Sequence, residues 1–136
     1  MTAENILKII KEKEIDYVDL RFTDPRGKLQ HLTQDISTID ADFLNEGTFF
    51  DGSSIAGWKA INDSDMILKP DLTRAFVDPF TSHNTLVIFC DIMDPIKKDY
   101  YERDPRSIAK KAEAYLKTTG IGDTIYFGPE PEYFVF

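Results

Sequence analysis

The sequence has a single cysteine, Cys90, which excludes an internal disulfide; no Cys/His cluster has zinc spacing either. Cys90 closes the apolar run Leu86-Val87-Ile88-Phe89-Cys90, so it reads as a small buried hydrophobe rather than a catalytic thiol. Histidine is scarce too: His31 and His83 are far apart and belong to no motif. Basic charge is short, with 16 Lys+Arg against 24 Asp+Glu for a net −8. The average surface therefore repels a phosphate backbone, which disfavours nucleic acid as a partner. No apolar run approaches the length of a membrane span. The N-terminal run Ile6-Leu7-Lys8-Ile9-Ile10 is too short and too interrupted by charge for a signal peptide. A cytoplasmic protein without a membrane partner is the expectation. Internal repeats and low-complexity tracts are also missing.

What is present is an ordinary globular mixture, 42% hydrophobic and 29% charged over 136 residues, enough for one domain or one and a fraction. Residues 3–13 place Ile6, Ile9 and Ile10 on one face of an amphipathic helix. Tyr17 to Thr23 alternates, with Val18, Leu20 and Phe22 on one side, and predicts a half-buried strand. Asp24-Pro25-Arg26-Gly27 is a turn signal, and Lys28 to Thr33 returns as the second strand of a β-hairpin. Asp40 to Glu46 predicts a short helix capped by Asp40 and ended by Gly47. Residues 47–64 show no usable periodicity. Short strands are expected at Met66–Leu68, Ala75–Val77 and Leu86–Asp91. This order, without βαβ alternation, indicates an α+β fold.

The charged stretch Pro95–Arg103 reads as a linker. Asp104 then caps a helix with Pro105 at its first position, an apolar face of Ile108, Ala112, Tyr115 and Leu116, and a stop at Gly120. Thr124 to Phe136 predicts a strand or two. The expected domains are 1–98 and 104–136. One helix and one apolar strand cannot bury their own faces, so the second domain is expected to be truncated, with the native chain continuing.

Two places could carry chemistry. One is the loop around Phe50-Asp51-Gly52-Ser53-Ser54. Long connections without regular structure are either functional or disordered, and Phe49, Phe50, Ile55, Trp58 and Ile61 argue against disorder. A plain Asx-turn at Asp51 is the competing reading. The other is Gly128-Pro129-Glu130-Pro131-Glu132. Pro129 and Pro131 disfavour helix for the residues before them. In an extended segment Glu130 and Glu132 share a face, with Cα atoms roughly 6–7 Å apart. Two converging carboxylates favour a hard divalent cation such as Mg²⁺ or Mn²⁺. An edge strand blunted by Pro and Glu explains the same residues, and general acid/base work ranks lower because no nucleophile lies nearby.

Both stretches resemble glutamine synthetase of the bacterial long-chain type. Phe50-Asp51-Gly52-Ser53-Ser54 followed by Asp63-Ser64-Asp65 and Leu68 is similar to the family's N-terminal signature. Phe127-Gly128-Pro129-Glu130-Pro131-Glu132-Tyr133-Phe134 is similar to its metal-binding strand. Val18-Asp19-Leu20-Arg21-Phe22-Thr23-Asp24, Trp58-Lys59 and Arg103-Asp104-Pro105-Arg106 fall in the expected order.

The resemblance implies a β-grasp (ubiquitin-like) domain followed by the first helix and strand of a catalytic domain. It implies an enzyme that joins ammonium to glutamate with ATP through a γ-glutamyl phosphate, working as two stacked hexameric rings with active sites between neighbours. Asp51 would then bind and deprotonate ammonium in a neighbouring subunit's site, with Asp65 in support. Glu130 and Glu132 would ligate two divalent ions, Mg²⁺ or Mn²⁺. No ATP-binding segment is expected within these residues, and the chain alone is expected to be inactive and to bind metal weakly. The alternative is a free-standing β-grasp binding module, which a stop codon after Phe136 would favour.

Overall fold

The chain was described from a computed structural model covering residues 1–58 and 64–136. Lys59, Ile61 and Asp63 of the readings above lie outside the described residues. Thr2 opens the first helix, α1 (Ala3–Glu12), by accepting from the Asn5 amide at 3.4 Å. Ala3, Ile6 and Ile10 form its buried stripe. Strands β1 (Tyr17–Thr23) and β2 (Leu29–Asp35) then form the expected hairpin, with Leu20 opposite Leu32. Asp24 organises the turn, taking the Arg26 and Lys28 amides at 2.9 Å each, while Gly27 supplies φ +83°. The second strand starts at Leu29 because Lys28 is spent on closing that turn.

Helix α2 (Ala41–Glu46) is capped by Asp40, which accepts from the Phe43 amide at 2.7 Å. Gly47 ends it at φ +86°. A Cβ there would also lie 2.2 Å from the Leu68 carbonyl oxygen, so this position excludes every other residue twice over. The region expected to be aperiodic begins with a real strand, β3 (Thr48–Asp51), followed by a 3₁₀ turn at Gly52–Ser54. The two short strands expected at 66–68 and 75–77 are one long strand, β4 (Asp65–Val77), with a register shift between Pro70 and Ala75. Pro70 has no N–H to give the ladder, which is where a strand breaks register.

Strand β5 (Thr85–Asp94) is the spine of the sheet. The order is β2-β1-β5-β4-β3, with β1 and β5 parallel and the other pairs antiparallel. Alternation along β5 sends Leu86, Ile88, Cys90 and Ile92 to one side. There they meet α1, Leu44, Val18, Leu20, Met66 and Leu68 in the core, all fully or nearly fully buried. Burying each large aliphatic side chain contributes about 1.5–3 kcal/mol. The opposite side of the same sheet carries Asp19 and Asp91.

Two expectations for the second half need correction. The stretch 95–103 is not a free linker. It forms a short strand, β6 (Asp99–Tyr100), paired with the end of β5, and it buries Tyr101. Helix α3 (Pro105–Thr119) follows as expected, capped by Asp104 and closed by Gly120 in the left-handed region. The strand expected from Thr124 to Phe136 does not form: residues 121–136 carry no helix or strand. Tyr126, Phe127, Tyr133, Phe134, Val135 and Phe136 are exposed, as are Ile108 and Tyr115 on the apolar face of α3. A strand needs a ladder partner, and Pro129 and Pro131 remove two of the donors that could recruit one.

Candidate functional site

Asp51 is the last residue of β3 and the cap of the 3₁₀ turn that follows. Its carboxylate accepts from the Ser53 amide at 2.8 Å and the Ser53 hydroxyl at 2.6 Å. The local geometry is therefore the Asx-turn. The Ser53 hydroxyl first, then the Ser53 amide, hold the Asp51 carboxyl below the usual carboxylate range, with a smaller contribution from Ser64. Asp51 is thus anionic at neutral pH, and it is exposed.

The antiparallel register sets Asp51 directly opposite Asp65. The two predicted carboxylates, separated by fourteen positions in sequence, are brought together by β3–β4 pairing, on the exposed face that also shows Phe49. Opposite residues of an antiparallel pair project to the same side, so both acidic side chains leave the sheet on one face at the end of the β3–β4 ladder. Gly52 permits this arrangement. Its amide donates to the Ser64 carbonyl at 2.6 Å, and a Cβ would sit 2.5 Å from the Met66 sulfur.

Behind the carboxylates lies an aromatic platform. Phe22 stacks on Trp58 with ring centres 5.8 Å apart, Phe50 lies 5.4 Å from Phe22, and Tyr101 meets Trp58 edge-on at 5.8 Å. These ring contacts hold the described part of the loop, through Trp58, which sequence periodicity could not describe. Trp58 and Ile55 are buried. The Trp58 Nε1 is buried and has no hydrogen-bond partner among the described residues. Sequence reasoning gave no role to Tyr101, and named Arg103 only within the Arg103-Asp104-Pro105-Arg106 resemblance; both reach this loop from the stretch read as a linker. The aromatic pair Tyr100-Tyr101 inside that charged stretch was the available signal.

Glu130 and Glu132 are exposed and lie outside any regular element. The structure does not bring them onto Asp51 or Asp65, and no group of three or more His, Cys, Asp or Glu among the described residues could hold a metal ion. The two carboxylates suit a hard divalent cation in kind, but supply only part of a shell that takes about six oxygens. Among the described residues no helix is long and apolar enough to cross a membrane.

The family description "Glutamine synthetase, beta-Grasp domain" matches residues 14–95, and "Glutamine synthetase, catalytic domain" matches residues 102–136. The chain is 62% identical over 135 residues to a glutamine synthetase of Azorhizobium caulinodans, covering 99% of this chain and 29% of that protein. It is 56% identical over 136 residues to the Escherichia coli glutamine synthetase, covering 100% of this chain and again 29% of the relative. The chain thus spans about a third of the length of the curated relatives it matches. Among solved structures, a Plasmodium falciparum glutamine synthetase seen by cryo-electron microscopy superposes with TM-score 0.80 at 26% identity, over 90% of this chain and 24% of that one.

Proposed function

The chain belongs to the glutamine synthetase family, and from that premise we propose that it is the N-terminal part of an ATP-dependent glutamate–ammonia ligase that makes glutamine through γ-glutamyl phosphate. The observation that carries the reading is the pairing of Asp51 with Asp65 at the end of β3–β4, both on an exposed face, with the Asp51 carboxylate accepting from Ser53. An ionised carboxylate favours a small cation; the hydrogen bonds from Ser53 that lower the pKa of Asp51 also make it a weaker base, so its contribution to deprotonation rests on placement next to the ammonium. Asp51 would bind ammonium and assist its deprotonation, and Asp65 would add charge to the same site. The exposure of both carboxylates supports a site completed by another subunit, which would cover and dry it. The matching assembly is two stacked hexameric rings, located in the cytoplasm.

The domain division we propose is 1–98 for the β-grasp unit and 104–136 for the start of the catalytic unit. Glu130 and Glu132 would belong to the site of their own subunit. Glu132 would hold a divalent ion, Mg²⁺ or Mn²⁺, nearer glutamate, and Glu130 one nearer the ATP phosphates, where such ions neutralise charge during phosphoryl transfer. Two carboxylates in an extended segment are only part of that centre, so the 136-residue chain is expected to make no glutamine alone.

The test is a chimera in which these residues replace the matching segment of the Escherichia coli relative. ATP-dependent glutamine formation is the expected result. A folded, assembled chimera that makes none contradicts the reading.

A further inference from the structure

Tyr101 and Arg103 both donate to backbone carbonyls of the loop that follows Asp51. The Tyr101 hydroxyl donates to the Trp58 carbonyl at 2.9 Å, and Arg103 Nη1 donates to the Gly57 carbonyl at 3.0 Å. Tyr101 is buried, so its hydroxyl needs such a partner. Two unrelated side chains thus grip consecutive carbonyls of one loop.

The path from that grip back to Asp51 is a chain of short turns. The Trp58 amide donates to the Ile55 carbonyl at 3.2 Å, and the Ile55 amide to the Gly52 carbonyl at 3.2 Å. Gly52 directly follows Asp51 and is itself tied to Ser64. Each bond closes a four-residue turn, so successive backbone hydrogen bonds connect Trp58 to Gly52, the residue after Asp51.

On its other side the grip is anchored to α3 and β5. The Tyr101 amide donates to the Ile92 carbonyl at 2.8 Å, and the Asp104 amide to the Tyr101 carbonyl at 3.1 Å. Asp104 is fully buried and accepts from the Ser107 amide at 3.1 Å and hydroxyl at 2.7 Å, and from the Ile92 amide at 3.4 Å. Two residues on, Arg106 pairs with Asp91 at 2.9 Å and also with Asp71, and one turn after Arg106, Lys110 pairs with Asp91. These contacts fix the start of α3 against the face of the sheet away from α1.

We propose that Tyr101 and Arg103 are positioning residues for Asp51, which lock the Asp51–Trp58 loop to the start of α3 so that the two are held as one unit. The consequence for catalysis rests on the reading of Asp51 as the ammonium carboxylate; the mechanical claim does not. A loop so tied carries its carboxylate to a fixed place, and ammonium, which is small and symmetric, offers few other handles for orientation. The junction between the two matched segments then works as a rigid coupling.

Trp58 is the only tryptophan, so its fluorescence reports on this loop alone. In the 136-residue chain, Tyr101→Phe and Arg103→Met each remove one bond, and each is expected to raise the population of the open loop about five-fold. Trp58 emission should shift to the red and acrylamide quenching should rise, with the double variant showing more of both. Arg103→Lys should restore part of the effect, since an ammonium still donates. Lys117→Met, on the exposed side of α3, should change nothing. In the chimera, Arg103→Met should raise KM for ammonium and leave KM for ATP unchanged; a purely stabilising role would lower Tm and move neither constant. Unchanged Trp58 emission and quenching in Tyr101→Phe and in the double variant, with native circular dichroism, overturns the proposal. So does a loosened loop that leaves KM for ammonium unchanged. A chimera inactive before any substitution counts against the functional reading only, and the fluorescence still decides the positioning.

Discussion

Asp19 is 5% exposed and still charged. Burial alone pushes its carboxyl up, but hydrogen bonds from His31 at 2.9 Å, Arg21 at 2.7 Å and Thr33 at 2.8 Å outweigh that and hold it below the usual range. Asp71 follows the same pattern: burial pushes it up, and Thr73 and Arg106 bring it below the usual range. A carboxyl whose folded pKa lies below its unfolded value, about 3.9 for Asp, binds more protons when unfolded. Its stabilisation is complete above that unfolded value and disappears as pH falls through the folded one. Thermal melts from pH 7 to pH 2 should therefore hold a plateau and then drop below about pH 4. Asp19→Asn should melt lower at pH 7, and its deficit should shrink toward pH 2. A deficit independent of pH would show that packing, not charge, is what Asp19 contributes. At the same scale Asp51 differs, because its partners are local and its face is open. Asp35 shares that local arrangement, accepting from the Ser37 amide at 2.9 Å and hydroxyl at 2.6 Å, so what sets Asp51 apart is its register opposite Asp65.

At the scale of elements, helix α3 depends on its cap more than on its flanks, since Ser107 is its only buried residue. Asp104→Ala removes the cap and leaves buried donors of Ser107 and Ile92 unpaired. Urea denaturation should show a loss of about 2 kcal/mol or more, with Asp104→Asn keeping most of the stability. A loss near zero would mean that α3 is held by its ion pairs alone. This helix, α1, α2 and the β1–β2 hairpin were legible in the sequence because each carries its own signal: an N-cap, a period, a turn residue. The parallel pairing of β1 with β5 was not legible, because nothing local encodes which distant strand lies alongside. Strand β3 was missed for a related reason. Four residues containing two phenylalanines show no alternation, and only the β4 ladder makes them a strand. The terminal strand was expected from apolar residues, from the extended geometry that Pro129 and Pro131 favour and from the resemblance, none of which supplies a partner strand. Of the candidate site, Asp51 and Asp65 were recognised by motif, while their face-to-face register needed the fold.

The whole molecule divides into a well-packed sheet with its helices and an apolar remainder. Residues 121–136 bury no side chain, and Ile121, Ile125, Tyr126, Phe127, Tyr133, Phe134, Val135 and Phe136 stand in water. Apolar surface of this kind marks an interaction face or a liability to aggregate. Ending the chain at Gly120 should leave Tm within about 2 °C of the original, a fraction of a kcal/mol for a domain of this size. It should also reduce binding of a hydrophobic dye. A drop of many degrees would show that the segment packs onto the sheet after all. The same division explains why catalysis is not expected from the isolated chain: the β-grasp unit presents Asp51, while Glu130 and Glu132 sit on a segment that buries nothing.

The most direct measurement compares the chimera described above with its Asp51→Asn form in ATP-dependent glutamine synthesis. The unsubstituted chimera should turn over. Asp51→Asn keeps the shape and most of the turn but loses the charge, and should cut kcat/KM for ammonium by about 10²-fold or more, the scale of a lost general base, with KM for ATP little changed. Full activity in the Asp51→Asn chimera would contradict the assignment of the ammonium site to the β3–β4 carboxylates.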